Sequence, residues 1–345
     1  MWHGIYGHDA IVERFRRTLE TGRLASTYLF VGPSGTGKRR FALQLAHALL
    51  CTRSEDAELN PCGHCESCRL FLSGNHPDLD LIGLRPDKSE LAISQFVGYD
   101  EILKQEALCH RIAFKPFYGG RRIAIIDDAD HFNLHSANCL LKTLEEPPPQ
   151  SLLILIGTSP SRQLPTIRSR AQLVRFQALD PETVERILLD TGLLTDPKAA
   201  RRAAQLSEGS VERAIELADP ALWEFREQLF AQLASPSAVR LARAVQAFVD
   251  EAGKESAKKR ERLRTVLGFA ITYYRERLGE ATVNRQDGPT KRASIEPTEA
   301  IVGALDACLA ALGHIDRNAN LGIVIQHWSE TLGQPATAHA IANVN

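Results

Sequence analysis

The chain carries almost no excess of either charge: 41 basic residues stand against 42 acidic ones, a formal net charge of -1. That balance argues against a protein that coats nucleic acid by bulk charge, though not against a local basic face. Long hydrophobic runs are also missing. The sequence shows no apolar stretch approaching the roughly 18 residues that a membrane span needs. The start, Met1-Trp2-His3-Gly4, has neither a charged lead nor an apolar segment, so no signal peptide is read there. No internal repeat or low-complexity tract is visible, and no polymerase or nuclease carboxylate cluster stands out. These absences leave a soluble cytoplasmic protein without a membrane partner as the expectation. What is present is ordinary for globular chains: 345 residues, 44% hydrophobic and 24% charged, enough for two or three domains with proper cores.

One stretch departs from the ordinary. Gly32-Pro33-Ser34-Gly35-Thr36-Gly37-Lys38 fits the phosphate-loop pattern G-x-x-x-x-G-K. In that pattern glycines let backbone N–H groups approach phosphates, and the Lys reaches the outer ones. The next residue should be Ser or Thr, whose hydroxyl holds Mg²⁺, and here it is Arg39. The loop is therefore expected to grip a nucleotide and to be poorly equipped to hydrolyse it.

The surroundings suit such a loop. Tyr28–Val31 reads as a buried strand leading into it, and Arg40–Leu50 as an Ala/Leu-rich helix leading out. Further strand candidates are Leu79–Leu84, Ile123–Ile126 and Leu152–Ile156. Residues 1–26, Ile93–Glu106 and Asn133–Glu145 read as helical, the last stopped by Pro147-Pro148-Pro149. Strands alternating with helices predict an α/β fold with a parallel sheet covered on both faces. Beyond residue 178 the strand signals fade. Pro181–Leu193, Pro197–Leu206 and Ser210–Leu217 read as short helices, and from Pro220 onward only helical patterns remain, broken around 279–297.

Cys51, Cys62, Cys65 and Cys68 form C-x10-C-x2-C-x2-C. Four soft thiolates at that spacing suit tetrahedral Zn²⁺ in a structural role. An iron–sulfur cluster opens on the same C-x2-C-x2-C run, but its continuation x3-C-P meets Leu72 here, so zinc is favoured. His64 and His76 keep a Cys₃His set open. Cys109, Cys139 and Cys308 read as small buried residues.

Asp127 ends the third apolar run, where a nucleotide-binding sheet places a carboxylate for Mg²⁺. Asp128 stands where many ATPases carry a water-orienting Glu and is one methylene shorter. With Thr158 after the fourth strand, the candidate nucleotide set is Gly32, Gly35, Thr36, Gly37, Lys38, Arg39, Asp127, Asp128 and Thr158. Arg168-Ser169-Arg170 reads, from charge alone, as a solvated edge. Lys258-Lys259-Arg260 with Arg262 and Arg264, interleaved with Glu255 and Glu261, reads as a solvated helix face.

Together these pieces resemble a known family. The run Ser136-Ala137-Asn138-Cys139-Leu140-Leu141-Lys142-Thr143-Leu144-Glu145-Glu146-Pro147-Pro148 is similar to the hallmark of bacterial DNA polymerase III clamp-loader subunits, which are AAA+ proteins. The zinc cluster, the His76-Pro77-Asp78 triplet and Pro165-Thr166-Ile167-Arg168-Ser169-Arg170 resemble the same family over roughly residues 4–218. Ile315-Asp316-Arg317-Asn318-Ala319-Asn320-Leu321 resembles its last domain.

The resemblance implies an AAA+ P-loop core over 1–178 with the zinc module at 51–68, a small helical lid over 179–218, an all-α collar over 219–335 and a loose tail over 336–345. It implies a hetero-pentamer with gamma/tau motor and delta subunits that loads a sliding clamp on primed DNA. Arg170 matches the family's arginine finger, which acts in trans on a neighbour's ATP, although the motif ends here in Ala171 rather than Cys. Three departures set the chain apart from the motor and toward the delta prime kind: Arg39, Asp128, and Glu212 where the motor carries a sensor arginine. Arg213 is one position off, about 100° around a helix. The expected ligands are structural Zn²⁺ and ATP or ADP held without turnover. The alternative is an active motor-type ATPase.

Overall fold

In a computed structural model, residues 2–85, 88–98, 105, 107–118, 120–234, 237–283 and 298–333 are described. The chain divides into two compact units, Met1–Ala218 and Asp219–Asn345. The first is built on a five-stranded sheet, β1 (Thr27–Val31), β2 (Leu79–Ile82), β3 (Arg122–Ile126), β4 (Ser151–Gly157) and β5 (Gln172–Arg175), in the order β2-β3-β4-β1-β5. Every pairing is parallel. The phosphate loop thus leaves a strand flanked on both sides, between β4 and β5.

Alternation along the strands splits the core into two layers. Tyr28, Phe30, Ile123, Ile125, Ile154 and Ile156 face one side with Phe15 of α1 (Asp9–Glu20) and Phe41 of α2 (Lys38–Leu50). Leu29, Val31, Ala124, Ile126, Leu153 and Leu155 face the other, with Ala137, Leu140 and Leu144. Both layers are apolar, so the inner strands are near-continuous apolar runs after Thr27, Arg122 and Ser151 at their starts, as expected for a parallel sheet covered on both faces. An aromatic cluster fills the first layer: Phe30 lies 5.9 Å from Phe41 and 5.1 Å from Phe176 between ring centroids, and Phe15 lies 6.0 Å from both Phe30 and Phe41.

α3 (Glu66–Leu72) follows the cysteine loop, and α4 (Leu134–Glu145) runs between β3 and β4. Asn133 caps α4, its side chain accepting from the Ser136 N–H at 2.8 Å while Ser136 Oγ answers the Asn133 N–H. Three short helices, α5 (Pro181–Asp190), α6 (Pro197–Leu206) and α7 (Val211–Glu216), close the first unit.

Several expectations need correction. β5 was not among the strand candidates: Gln172 and Arg175 are exposed on a four-residue edge strand, so it lacks the apolar run that marks the others. Over the expected helix at 93–106, the described residues 93–98 do not form an α-helix, whereas Gln105 is helical. Ile93–Gln95 makes a 3₁₀ turn, and residues 99–104 and 106 lie outside the described residues. The tail over 336–345 lies outside them too.

The second unit is helical where described: α8 (Pro220–Ala234), α9 (Ala238–Asp250), α10 (Ser256–Val283), α11 (Thr298–Asp316) and α12 (Leu321–Gly333). Helix α11 is 19 residues long and apolar enough by length and composition alone to cross a membrane, although Asp306 interrupts its apolar run. Ile301, Cys308, Ala311 and Ile315 are buried in the unit, and the Trp328 indole N–H of α12 donates to Cys308 Sγ at 3.3 Å. The basic run of α10 is not a free solvated face. Arg260 donates to the carbonyls of Ile315, Asn318 and Ala319 at the end of α11, and Arg264 pairs with Asp316 at 2.9 Å.

Candidate functional site: a braced phosphate loop and a thiolate cluster

Gly35 and Gly37 adopt φ of +69° and +87°, a region that favours glycine, and Gly37 serves as the N-cap of α2. The loop is braced on two sides. His8 Nε2 lies 2.7 Å from the Thr36 carbonyl oxygen, and the Val211 N–H at the start of α7 donates to the Gly35 carbonyl at 2.9 Å. Burial holds the His8 imidazole below its ordinary range, against a smaller upward pull from the Thr36 carbonyl.

Lys38 is buried. Its Nζ donates to the carbonyls of Gly32 and Pro33 at 2.8 and 2.6 Å. Burial lowers its pKa, and the carboxylates of Asp127, Asp130 and Glu212 pull the other way. Beyond it opens a cavity of about 690 Å³, the size of a small-molecule site. Gly35, Gly37, Lys38, Arg39, Asp127, Asp128 and Thr158 all line it. Gly32 and Thr36 support from behind: the Gly32 N–H donates to the Thr158 carbonyl, and Thr36 Oγ1 donates to the Pro33 carbonyl at 2.9 Å.

At the end of β3, Asp127 faces Arg39, with Nε 3.4 Å from Oδ2. Burial raises the Asp127 pKa, helped by the charge of Asp128, while Arg39 and Lys38 pull it down. Asp128 adopts a left-handed φ of +55° and its carboxylate accepts from the Leu84 N–H at 3.2 Å. Thr158 is already committed, its N–H and hydroxyl both donating to Asp130 Oδ2, while Asp130 Oδ1 accepts from Gln163. Glu212 lines the cavity, whereas Arg213 pairs with Glu208 at 3.0 Å.

Arg170 is not among the residues lining this cavity. Its guanidinium donates to Glu145 at 2.6 Å and to the Thr166 carbonyl at 2.9 Å.

The thiolate cluster sits at the end of α2. The four sulfurs of Cys51, Cys62, Cys65 and Cys68 lie within 4.8 Å of one another. A tetrahedral ion with ~2.3 Å metal–sulfur bonds asks for sulfur separations of about 3.8 Å, so the set fits one metal. Backbone N–H groups already point at the sulfurs: Cys62 N–H to Cys51, Cys65 N–H to Cys62 and Cys68 N–H to Cys65, each at 3.4 Å. Burial pushes the Cys51 thiol up, but the N–H groups of Cys62, Arg53 and Ser54 outweigh it and bring it down to about 6. Cys65 is brought down to about 7 in the same way, burial being outweighed by hydrogen bonds from Cys68 and Thr52.

The Cys₃His alternative does not hold. His64 turns to the Cys62 carbonyl at 2.7 Å, and both nitrogens of His76 are taken, by Ser67 Oγ at 2.9 Å and the Asp78 N–H at 3.1 Å. His76 thereby ties α3 to the start of β2, and buried Asp78 accepts from the Phe117 and Tyr118 N–H groups.

A sequence profile of the family described as "DNA polymerase III, delta subunit" matches residues 7–180, half of the chain. The chain belongs to that family. Among this family's curated relatives, the delta prime subunit of DNA polymerase III from Bacillus subtilis is 34% identical over 60% of this chain and 58% of its own. The delta prime subunit of Pseudomonas aeruginosa is 39% identical over 42% of this chain and 41% of its own. The tau subunit of Escherichia coli is 31% identical over 63% of this chain and 32% of its own. The matches thus span between about a third and three fifths of these relatives. A solved gamma subunit-related protein of DNA polymerase III from Thermotoga maritima is 17% identical, with a TM-score of 0.43 over 94% of this chain and 99% of that one.

Within this delta-type subunit, sequence reasoning missed His8, Asp130, Gln163 and Ser210, whose Oγ accepts the Arg213 N–H to cap α7 beside Gly35. Asp130 carried a signal, lying three residues after Asp127 in an acidic run. His8 and Gln163 carried none, because each acts on a residue distant in sequence, whereas Ser210 caps its own helix through a residue three positions on.

Proposed function

We propose that this chain is the delta prime subunit of a DNA polymerase III clamp loader: a cytoplasmic, largely non-hydrolysing AAA+ subunit in a five-membered ring with gamma/tau motor and delta subunits. The ring would open a sliding clamp and place it on primed DNA. In this reading 1–178 is the AAA+ core, 179–218 the lid and 219–335 the collar. The observation that carries it is the pairing of Arg39 with Asp127. The residue that should offer a hydroxyl to Mg²⁺ instead offers a cation to the carboxylate that should share that metal. Asp128 turned to Leu84 and Glu212 in place of a sensor arginine support the same conclusion.

Arg170 supports the second half of the reading. It lies outside the chain's own cavity and rests on an acidic side chain. A guanidinium brought to a neighbour's ATP would stabilise charge on the transferring phosphoryl group. Turnover next door would then depend on ring geometry, coupling hydrolysis to clamp and DNA placement. The cysteine cluster would hold Zn²⁺ as a structural clip.

The test is ATP turnover by the isolated chain in Mg²⁺, together with assembly on mixing with motor and delta subunits. No turnover and a stable mixed ring are expected. Turnover that Lys38→Ala abolishes would overturn the reading in favour of a motor-type ATPase.

A further inference from the structure

The fold that carries a phosphate loop ordinarily uses Mg²⁺, and the residues here do not suit that ion. Its hydroxyl ligand is replaced by a fixed cation, and Arg39 Nε sits 3.4 Å from Asp127 Oδ2. A divalent ion there would lie against a guanidinium. Yet the rest of the phosphate cradle is intact. Gly37 still opens α2 with its left-handed backbone, and Lys38 is still held at the loop. The cavity of about 690 Å³ remains open beside them.

From this mismatch we infer that the cavity takes a nucleoside di- or triphosphate in its metal-free form, with Arg39 acting as the built-in counter-cation. The inference rests on the non-hydrolysing reading above and deepens it.

The charge around the cavity is consistent with this. Asp127 is met by Arg39, Asp130 is consumed by Thr158 and Gln163, and Asp128 accepts from Leu84. Three of the carboxylates lining the cavity are thus already engaged by donors of the protein. A guanidinium offers several N–H donors and keeps its charge at any working pH, so it neutralises phosphate oxygens without activating water. An incoming polyphosphate would draw Arg39 from Asp127 and Lys38 from the loop carbonyls, exchanging neutral and carboxylate partners for phosphate. The release of Asp127 is the unfavourable part of that exchange, which gives the test its sign.

The experiment is calorimetric titration of the full chain with ADP and with ATP, once in EDTA and once in excess Mg²⁺. Wild type is expected to bind at least as tightly in EDTA as in Mg²⁺. Arg39→Ser should lose roughly tenfold to hundredfold in EDTA, the worth of one charge-assisted hydrogen bond, and should become Mg²⁺-dependent. Asp127→Asn should tighten metal-free binding, since it removes the carboxylate that competes for Arg39; a site that bound nucleotide through Mg²⁺ would instead weaken. Binding by wild type only in Mg²⁺, weakening by Asp127→Asn in EDTA, or no binding in either medium would each overturn the inference. The role of Arg170 toward a neighbour would survive any of these results, because it is read from ring turnover.

Discussion

Gly35 shows how much one residue constrains the loop. A Cβ there would meet Ser210 Oγ and lie 2.9 Å from Glu212 Cβ, and the backbone is already left-handed. Gly35→Ala is therefore expected to cost about 1–3 kcal/mol, from backbone strain and displacement of α7. Thermal unfolding of the variant would measure it. Asp130 offers a second residue-scale prediction. Three donors converge on its half-buried carboxylate. Asp130→Ala should destabilise the protein by about 3 kcal/mol, because hydrogen bonds to a charged group are lost and their donors are left unpaired. Urea unfolding at neutral pH would read this, and a change near zero would mean that water replaces the carboxylate. Much of the site was legible at this scale, since the glycines, Lys38 and Asp127 sit within short runs whose chemistry shows on the chain. The braces were not. His8 reaches a loop 28 residues away, and Gln163 reaches Asp130 across 33.

Among the elements, the cysteine module is the one whose four sulfurs are gathered closely enough to share a metal ion. N–H···S bonds reach Cys51, Cys62 and Cys65 and hold the Cys51 and Cys65 thiols toward thiolate, so a cation bound there would contribute directly to its order. Chelation, or Cys65→Ser, is expected to lower the melting temperature and to expose the end of α2 to proteolysis, with one equivalent of zinc released per chain. Unchanged melting after complete metal removal would count against a structural role. Strand content followed a comparable rule. β1, β3 and β4 are buried throughout and announce themselves as apolar runs, whereas β5 borrows its order from pairing with β1 and leaves Gln172 and Arg175 exposed. An edge strand of that kind owes its existence to tertiary pairing, which local composition does not encode. Arg260 is a similar case. It reads as part of a solvated charge run, yet it caps the carbonyl end of α11.

For the whole molecule, pH acts through buried imidazoles. His8, His47 and His76 all titrate below their ordinary value of 6.5, chiefly because burial penalises the charged ring. In each case the unfolded chain binds a proton more readily than the folded one. The stability they protect is full above 6.5 and is lost as pH falls through that value toward the folded pKa values. Melting temperature should therefore drop on mild acidification, and His8→Gln should flatten the drop.

The proposed division of labour leaves this subunit's own site silent while its Arg170 serves a neighbour. The measurement that tests it most directly is clamp- and DNA-stimulated ATP turnover of the reconstituted ring, comparing Arg170→Ala with Lys38→Ala in this subunit alone. Arg170→Ala is expected to suppress turnover at the adjacent motor site by about 10³–10⁵, and Lys38→Ala to leave ring turnover intact. Normal turnover with Arg170→Ala, or its loss with Lys38→Ala, would contradict the claim.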